Sequence, residues 1–169
     1  MGDKRCIVLD TETTGLSPSK DRIIEIGAIE LINGERTSNT FNKYINPQVS
    51  LPKIITDITG ITDEILVDKP VFKDIVNEFL EWVGDSKIIA HNAKFDIGFI
   101  NSELGRIGLM PLKNEVLCTM LWYRSMYPGE KSSLDALCIK FGIVIERKKH
   151  GALLDASILV DVYNAMCLN

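Results

Sequence analysis

The 169-residue sequence has no long apolar run, no clustered cysteines and no excess of basic residues. No segment approaches the roughly 20 apolar residues that cross a bilayer, and no signal-peptide segment opens the chain, so we expect a cytoplasmic protein. Cysteines stand far apart, without a C-x-x-C pair, at Cys6, Cys118, Cys138 and Cys167. This spacing excludes a zinc knuckle or a thioredoxin-type site and predicts reduced thiols.

The charge balance argues against a protein that binds nucleic acid through a basic groove alone. The 23 acidic residues outnumber the 19 basic ones, which gives a net charge of −4. That is the wrong sign for a protein that holds nucleic acid through a basic groove alone. It is compatible with a protein that gathers carboxylates around cations. The length, and the lack of repeats or Pro/Gly/Ser-rich linkers, predict a single domain over residues 1–169.

The apolar patterns predict an α/β fold. Strands are expected over residues 4–11, 23–32 and 37–45, and Asn33-Gly34 indicates a hairpin turn between the last two. Short helical pieces surround Gly60. Further elements are predicted as helices over 70–83, 95–109, 133–141 and 151–166 and as short strands over 87–90 and 116–118. An antiparallel meander followed by alternating elements predicts a central mixed five-stranded sheet flanked by helices.

The first chemically informative motif is Asp10-Thr11-Glu12, at the end of the first predicted strand. Residues two apart in a strand point to the same face, so Asp10 and Glu12 would present two carboxylates side by side. Such a pair repels itself unless a cation lies between, and hard oxygen ligands suit Mg²⁺ or Mn²⁺. Taken alone, the triplet also fits two solvated acids at a strand end.

Two later motifs carry the remaining carboxylates and both histidines of the chain. Asp96 follows His91 and falls in the first turns of a predicted helix, where an acid is also favourable for helix stability alone. Gly151 places His150 in the loop just before the last helix, which carries Asp155. With a reference pKa of about 6.5, a histidine in such a loop suits a general base, although a surface histidine beside a helix-capping acid is the simpler alternative.

Together these motifs favour a catalytic site over separate structural roles. Two cations roughly 3.5–4 Å apart would activate a water and stabilise the leaving oxygen of a phosphodiester. Their ligands would be Asp10, Glu12, Asp96 and Asp155. His150 would take the proton of the water. The basic run Arg147-Lys148-Lys149, just upstream, either steers the phosphate backbone or is a solvated charge run.

The three motifs resemble those of the DEDDh family of 3′→5′ exonucleases, as Asp10-Thr11-Glu12-Thr13-Thr14-Gly15, His91-Asn92-Ala93-x-Phe95-Asp96 and His150-Gly151-Ala152-x-x-Asp155. The connecting segments, such as Ile23–Ala28 and Ser133–Cys138, are similar to the proofreading (epsilon-type) branch that serves bacterial replicative polymerases. The resemblance covers nearly the whole chain. It implies an RNase H-like fold with the meander at its centre and removal of single nucleotides from DNA 3′ ends.

The resemblance also assigns roles to residues. Metal ligands would be Asp10, Glu12, Asp96 and Asp155, with two Mg²⁺ or Mn²⁺ ions as cofactors, and His150 would be the base. Thr13, Gly15 and Leu16 would line the site of the terminal nucleotide. Leu16 and Phe95 would bracket its base or sugar, while His91 and Asn92 would support the site. Partners would be a DNA 3′ end, the alpha subunit of the replicative polymerase and a small accessory subunit.

Two departures from the epsilon-type pattern stand out. Thr59 occupies the position ahead of Gly60 where that pattern has a histidine, and its hydroxyl would have to make the nucleotide contact instead. The sequence also ends just after the last predicted helix, so no C-terminal polymerase-binding extension is expected.

Two alternatives stay open from the sequence. A 3′→5′ exoribonuclease of the same family would use the same chemistry, because contact with the 2′-hydroxyl decides RNA against DNA. A non-catalytic module of a nucleic-acid or polymerase complex is disfavoured, because degenerate nuclease domains lose a carboxylate or the histidine and this chain keeps all five.

Overall fold

A computed structural model describes residues 4–146 and 148–168. Its strands are β1 (Arg5–Thr13), β2 (Ile23–Ile32), β3 (Glu35–Tyr44), β4 (Lys87–Ala90) and β5 (Val116–Cys118). Its helices are α1 (Lys53–Thr59), α2 (Asp63–Leu66), α3 (Phe72–Val83), α4 (Ala93–Arg106), α5 (Thr119–Met126), α6 (Leu134–Phe141) and α7 (Ala152–Cys167). Arg147, the first residue of the basic run, lies outside the described residues.

The strands form one five-stranded sheet in the order β3-β2-β1-β4-β5. β1, β2 and β3 pair antiparallel, whereas β4 pairs parallel with both β1 and β5. Asn33 (φ 55°) and Gly34 (φ 87°) form the turn between β2 and β3, and both positive φ values suit a tight hairpin. The predicted mixed sheet with an N-terminal meander is confirmed.

The two faces of the sheet are covered by different helices. Ile7 and Leu9 pack into one core cluster with side chains of α3 and α4. Cys6 and Val8 pack into a second cluster with side chains of α7. Because side chains alternate along a strand, the even-numbered positions further along β1 also face α7.

The helix predictions differ from the structure mainly at the ends and at one element. α6 ends at Phe141 as predicted, and the following Gly142 has a φ of 69°, the left-handed conformation expected of a terminating glycine. α4 begins at Ala93 and ends at Arg106, earlier at both ends than predicted. α5 was not predicted. Only Thr119 and Tyr123 of its eight residues are buried, so its sequence lacks the apolar periodicity that indicates a helix. Among the described residues, no helix is both long and apolar enough to cross a membrane.

Candidate active site

β1 carries the first two carboxylates to its C-terminal end. Asp10 lies opposite Gly27 of β2, and Glu12 lies opposite Glu25. Directly paired residues of antiparallel strands point to the same face. The Asp10 and Glu12 side chains are therefore on the face that α7 covers, next to Glu25.

Asp96 reaches the same end of the sheet from the opposite face. It lies in the first turn of α4 and is only 2% exposed. Its Oδ1 accepts hydrogen bonds from the Thr11 amide (3.0 Å) and the Thr11 hydroxyl (2.8 Å). Burial raises the pKa of Asp96 to about 7, although both bonds from Thr11 lower it. Thr11 thus fixes the Asp96 carboxyl beside the strand segment that carries Asp10 and Glu12.

Asp155 and His150 come from α7 and the loop before it. Asp155 is buried in the first turn of the helix, and His150 stands outside the helix with a half-exposed side chain. Nδ1 of His150 lies 3.0 Å from Oδ2 of Asp155. When Nδ1–H donates to the carboxylate, Nε2 is the ring nitrogen that can accept a proton. The backbone amide of His150 donates to the Ile58 carbonyl (3.0 Å), which ties the loop to the end of α1.

These groups form one acidic cluster. Ligand atoms of Glu12, His150 and Asp155 all lie within 4.8 Å of one another, an arrangement that could hold a metal ion. The pKa of Asp10 is raised well above its ordinary value by burial, and then by the negative charges of Asp96, Glu12, Asp155 and Glu25. Carboxylates this close to one another are stabilised by cations, and an oxygen-rich donor set suits a hard divalent ion.

Three of the predicted nucleotide contacts line one shallow pocket. Leu16, Asn92 and Phe95 surround a space of about 240 Å³ together with Pro18 and Lys94. The Leu16 side chain is 85% exposed, an unusual position for a large apolar residue. Phe95 is partly buried and packs against Phe99 with tilted rings, whose centroids are 4.8 Å apart. Phe95 is therefore both a core contact and part of the pocket wall.

The turn after β1 has a defined conformation that presents Leu16. The Thr13 hydroxyl donates to the Gly15 carbonyl (2.6 Å), and the Ser17 amide donates to the Asp21 carboxylate (2.8 Å). A Cβ atom on Gly15 would lie 2.5 Å from that carboxylate, so a side chain at this position would displace Asp21. Leu16 thus projects from a turn held by side-chain bonds on both sides.

His91, Asn92 and Thr59 are also placed by local bonds or backbone geometry. The two ring nitrogens of His91 lie 3.0 Å from the Thr119 hydroxyl and 2.8 Å from the Ser132 carbonyl. Asn92 precedes α4 in the left-handed conformation (φ 61°), which asparagine tolerates better than most residues. The Thr59 hydroxyl donates to the Ile55 carbonyl (2.8 Å) and accepts from the Ile61 amide (3.1 Å). That hydroxyl is therefore bonded within the turn between α1 and α2.

Sequence reasoning missed three residues that build the site. Thr11 holds Asp96, Glu25 accepts the Ala152 amide (3.0 Å), and Gly27 lies directly beneath the start of α7. One signal was available for Glu25, since it is a single acid inside the otherwise apolar run Ile23–Ile26. Lys94 lies on the rim of the Leu16 pocket. Nothing in the sequence distinguishes it from an ordinary exposed lysine.

A mixed sheet whose central strand ends among carboxylates from β1, α4 and α7 defines a nuclease of the RNase H-like class. The family described as Exonuclease matches residues 7–163, and the chain belongs to this family. The resemblance to DEDDh exonucleases noted in the sequence is thereby confirmed.

The chain is similar to curated relatives over most of its length. It is 48% identical to the DNA polymerase III subunit epsilon of Rickettsia felis, covering 96% of this chain and 74% of that one. It is 44% identical to the subunit of the same name from Salmonella typhimurium, covering 96% and 71%. The chain thus spans about three quarters of the length of these relatives.

Solved structures share the fold. Exonuclease X in complex with 5′ overhanging duplex DNA is 29% identical, with a TM-score of 0.72 over 94% of this chain and 91% of that one. The nuclease domain of 3′hExo, a DEDDh family member bound to rAMP, is 18% identical, with a TM-score of 0.85 over 98% and 92%. Exonuclease I of E. coli, in complex with a dA16 oligonucleotide, is also 18% identical, with a TM-score of 0.85 over 98% and 41%.

Proposed function

We propose that the protein is a metal-dependent 3′→5′ exonuclease that removes single nucleotides from DNA 3′ ends, as the proofreading (epsilon) subunit of a DNA polymerase III. The observation that carries this proposal is the convergence of Asp10, Glu12, Asp96 and Asp155, with His150 bonded to Asp155. The relatives named DNA polymerase III subunit epsilon, matched over 96% of the chain, support DNA as the substrate.

The metal ligands would be the four carboxylates. Their oxygen donors and their mutual repulsion, seen in the raised pKa of Asp10, suit two divalent cations such as Mg²⁺ or Mn²⁺. Bound there, the cations would supply Lewis-acid stabilisation of charge on the phosphate oxygens and a more acidic water.

His150 would act as the general base. Its hydrogen bond to Asp155 orients the ring and leaves Nε2 to accept the proton of the attacking water. The half-exposed ring stands in a loop, where substrate can reach it. The buried Asp155 carboxylate would stabilise the imidazolium that forms.

The terminal nucleotide would bind beside the turn after β1. Leu16 and Phe95 would contact its base or sugar, an apolar contact that tolerates any base. Thr13 and Gly15 would line the site because they form the turn that presents Leu16. Asn92 would line it as part of the pocket wall. His91 and Thr59 would act through the loops that their hydrogen bonds hold in place.

The partners would be a DNA 3′ end, the alpha subunit of DNA polymerase III and a small accessory subunit, in the cytoplasm where the chromosome is copied. Within the basic run, Lys148 is exposed, whereas the Lys149 amino group donates to the Asp57 carbonyl at the end of α1. Lys148 is therefore a stronger candidate than Lys149 for contact with the phosphate backbone.

The test is a cleavage assay with a 3′-mismatched primer–template and with single strands of DNA and RNA, in Mg²⁺, Mn²⁺ or EDTA. We expect metal-dependent release of single nucleotides from the DNA 3′ end, with mismatched ends trimmed faster than matched ones. Asp10→Asn is the inactive control. Faster trimming of RNA would assign an exoribonuclease instead, and no cleavage in either metal would leave a nucleic-acid-binding module.

A further inference from the structure

Glu25 is a buried carboxylate to which the three motifs give no role. It lies in β2, directly opposite Glu12, and is 4% exposed. Its Oε2 accepts the amide of Ala152 at 3.0 Å, and Ala152 is the first residue of α7. The bond thus joins the meander to the helix that carries Asp155.

The start of α7 depends on this bond more than most helix ends do. The first amides of a helix have no partner within the helix, and a side chain just before it usually accepts one of them. The residue in that position is Gly151, which has no side chain to do so. Glu25 accepts the amide from a neighbouring strand instead, and a carboxylate is the favourable charge at a helix N-terminus.

Backbone contact reinforces the same junction. A Cβ atom added to Gly27 would lie 2.1 Å from the Leu153 amide nitrogen, so β2 and the first turn of α7 touch directly. Only glycine fits this approach. Gly27 sets how closely the helix approaches, and the Glu25 bond limits how it slides or rotates on that contact.

The junction lies between two residues of the proposed chemistry. His150 is two positions before Ala152 and Asp155 is three positions after it, so a shift of this turn moves both. On its other side the His150 loop is tied to α1, by the bond from the His150 amide to the Ile58 carbonyl and by the bond from the Lys149 amino group to the Asp57 carbonyl. Glu25 is the side chain that fixes the turn against the strand next to Glu12.

A carboxylate at this position also has a cost. Glu25 adds a negative charge beside Glu12 and Asp155, and like charges directly opposite on paired strands are destabilising. Since Oε2 is bonded to Ala152, Glu25 contributes to the acidic cluster mainly by holding α7 in place. An uncharged acceptor of the same shape would make the same bond without the repulsion.

We propose that Glu25 is a positioning residue for the exonuclease reaction: its bond to the Ala152 amide sets the distance of His150 and Asp155 from Glu12. This inference rests on the proposed function. It predicts that the acceptor oxygen matters and the negative charge does not.

The experiment compares Glu25→Gln, which keeps an acceptor oxygen, with Glu25→Ala, which removes it. The matched control is Glu30→Ala, on the same strand, which removes a partly buried acid bonded to Arg5 (2.6 Å) away from α7. Each variant is measured for kcat and KM on single-stranded DNA, for thermal unfolding, and for amide hydrogen exchange of residues 148–156.

Glu25→Gln should keep kcat within about threefold of the unchanged protein, whereas Glu25→Ala should lose roughly 10²-fold in kcat with a similar KM, the cost of a small misplacement of catalytic groups. Exchange over residues 148–156 should rise in Glu25→Ala alone. Glu30→Ala should lose thermal stability and keep kcat.

Three results would overturn the inference: unchanged kcat in Glu25→Ala, an equal loss in Glu25→Gln, or an equal loss in Glu30→Ala. The exchange measurement needs no activity. If the wild-type protein releases no nucleotide with Mg²⁺ or Mn²⁺, the proposed function is wrong. Exchange that stays unchanged in Glu25→Ala would then still overturn the structural part of the inference.

Discussion

The imidazole of His150 and the carboxylate of Asp155 form one hydrogen-bonded pair, with Nδ1 3.0 Å from Oδ2. One partner is buried at the start of α7, and the other is half-exposed in the loop before it. The pair therefore connects the acidic cluster to solvent, where a substrate would arrive. In the proposed reaction the two ring nitrogens would have separate tasks: Nδ1 would set the orientation, and Nε2 would be left for proton transfer.

Replacing His150 should remove proton transfer and keep the metal ligands. We expect His150→Ala to slow single-turnover cleavage by about 10²–10⁴-fold, the usual contribution of a general base. Mn²⁺ binding, followed by calorimetry, should stay close to that of the unchanged protein. Glu146→Ala, an exposed change shortly before His150, is the control. Near-normal cleavage by His150→Ala would contradict the assignment, and lost Mn²⁺ binding would make His150 a ligand instead.

Replacing Asp155 should remove both cleavage and the stabilisation by metal. Asp155→Asn keeps an acceptor for His150 and removes one negative charge from the cluster. We expect no detectable cleavage and a smaller rise in Tm on addition of Mn²⁺, with the fold retained by circular dichroism. Asp161→Asn, on the exposed side of the same helix, should behave like the unchanged protein. The assignment is wrong if Asp155→Asn keeps the full Mn²⁺-dependent rise in Tm.

The metal-free protein should be destabilised by its own carboxylates as the pH rises above the ordinary range of an aspartate. The pKa of Asp10 is raised above its ordinary value of 3.8 by burial and by the charges of Asp96, Glu12, Asp155 and Glu25. A carboxyl with a raised pKa contributes full stability below its unfolded-state pKa and loses it as the pH rises through the folded-state pKa.

In EDTA at about pH 8, Asp10→Asn should therefore unfold at a higher temperature than the unchanged protein. The difference should shrink as the pH is lowered below the ordinary value of 3.8, where Asp10 is protonated in both states. Thermal melts across this range measure the effect. A lower Tm for Asp10→Asn at every pH would refute the electrostatic account.

Removing Leu16 should weaken substrate binding and leave stability almost unchanged. The side chain is 85% exposed, so Leu16→Ala should alter the free energy of unfolding by less than about 0.5 kcal/mol. Lost apolar contact with the terminal nucleotide should raise KM for single-stranded DNA by roughly tenfold. Ile139→Ala, an equally exposed change on α6, is the matched control (83%). Equal KM values for the two variants would show that Leu16 is an ordinary surface residue without a substrate contact.

Much of the site follows from local periodicity in the sequence. The two-residue repeat of a strand places Asp10 and Glu12 on one face, and Gly151 marks the helix start that leaves His150 in a loop. Asp96 falls in the first turn of α4, as the pattern predicts. These are short-range relations, which the sequence specifies directly.

The rest of the site depends on contacts between distant segments. The hydrogen bonds from Thr11 to Asp96 span 85 positions, and neither residue's neighbours reveal the pairing. Gly27 is an ordinary strand residue until α7 is known to lie upon it. α5 was missed because it is short and buries few side chains. Its position depends on the elements that pack around it.

The bond from Ala152 to Glu25 joins residues 127 positions apart. A chain emerging from the ribosome N-terminus first can form the β1–β3 meander early, since those strands are neighbours in sequence. The bond between His150 and Asp155, and their approach to Glu12, must wait until α7 has been synthesised and has packed against β2. Nascent chains that have not reached this helix therefore lack a complete acidic cluster, so the proposed nuclease centre is completed only after α7 has been synthesised and packed.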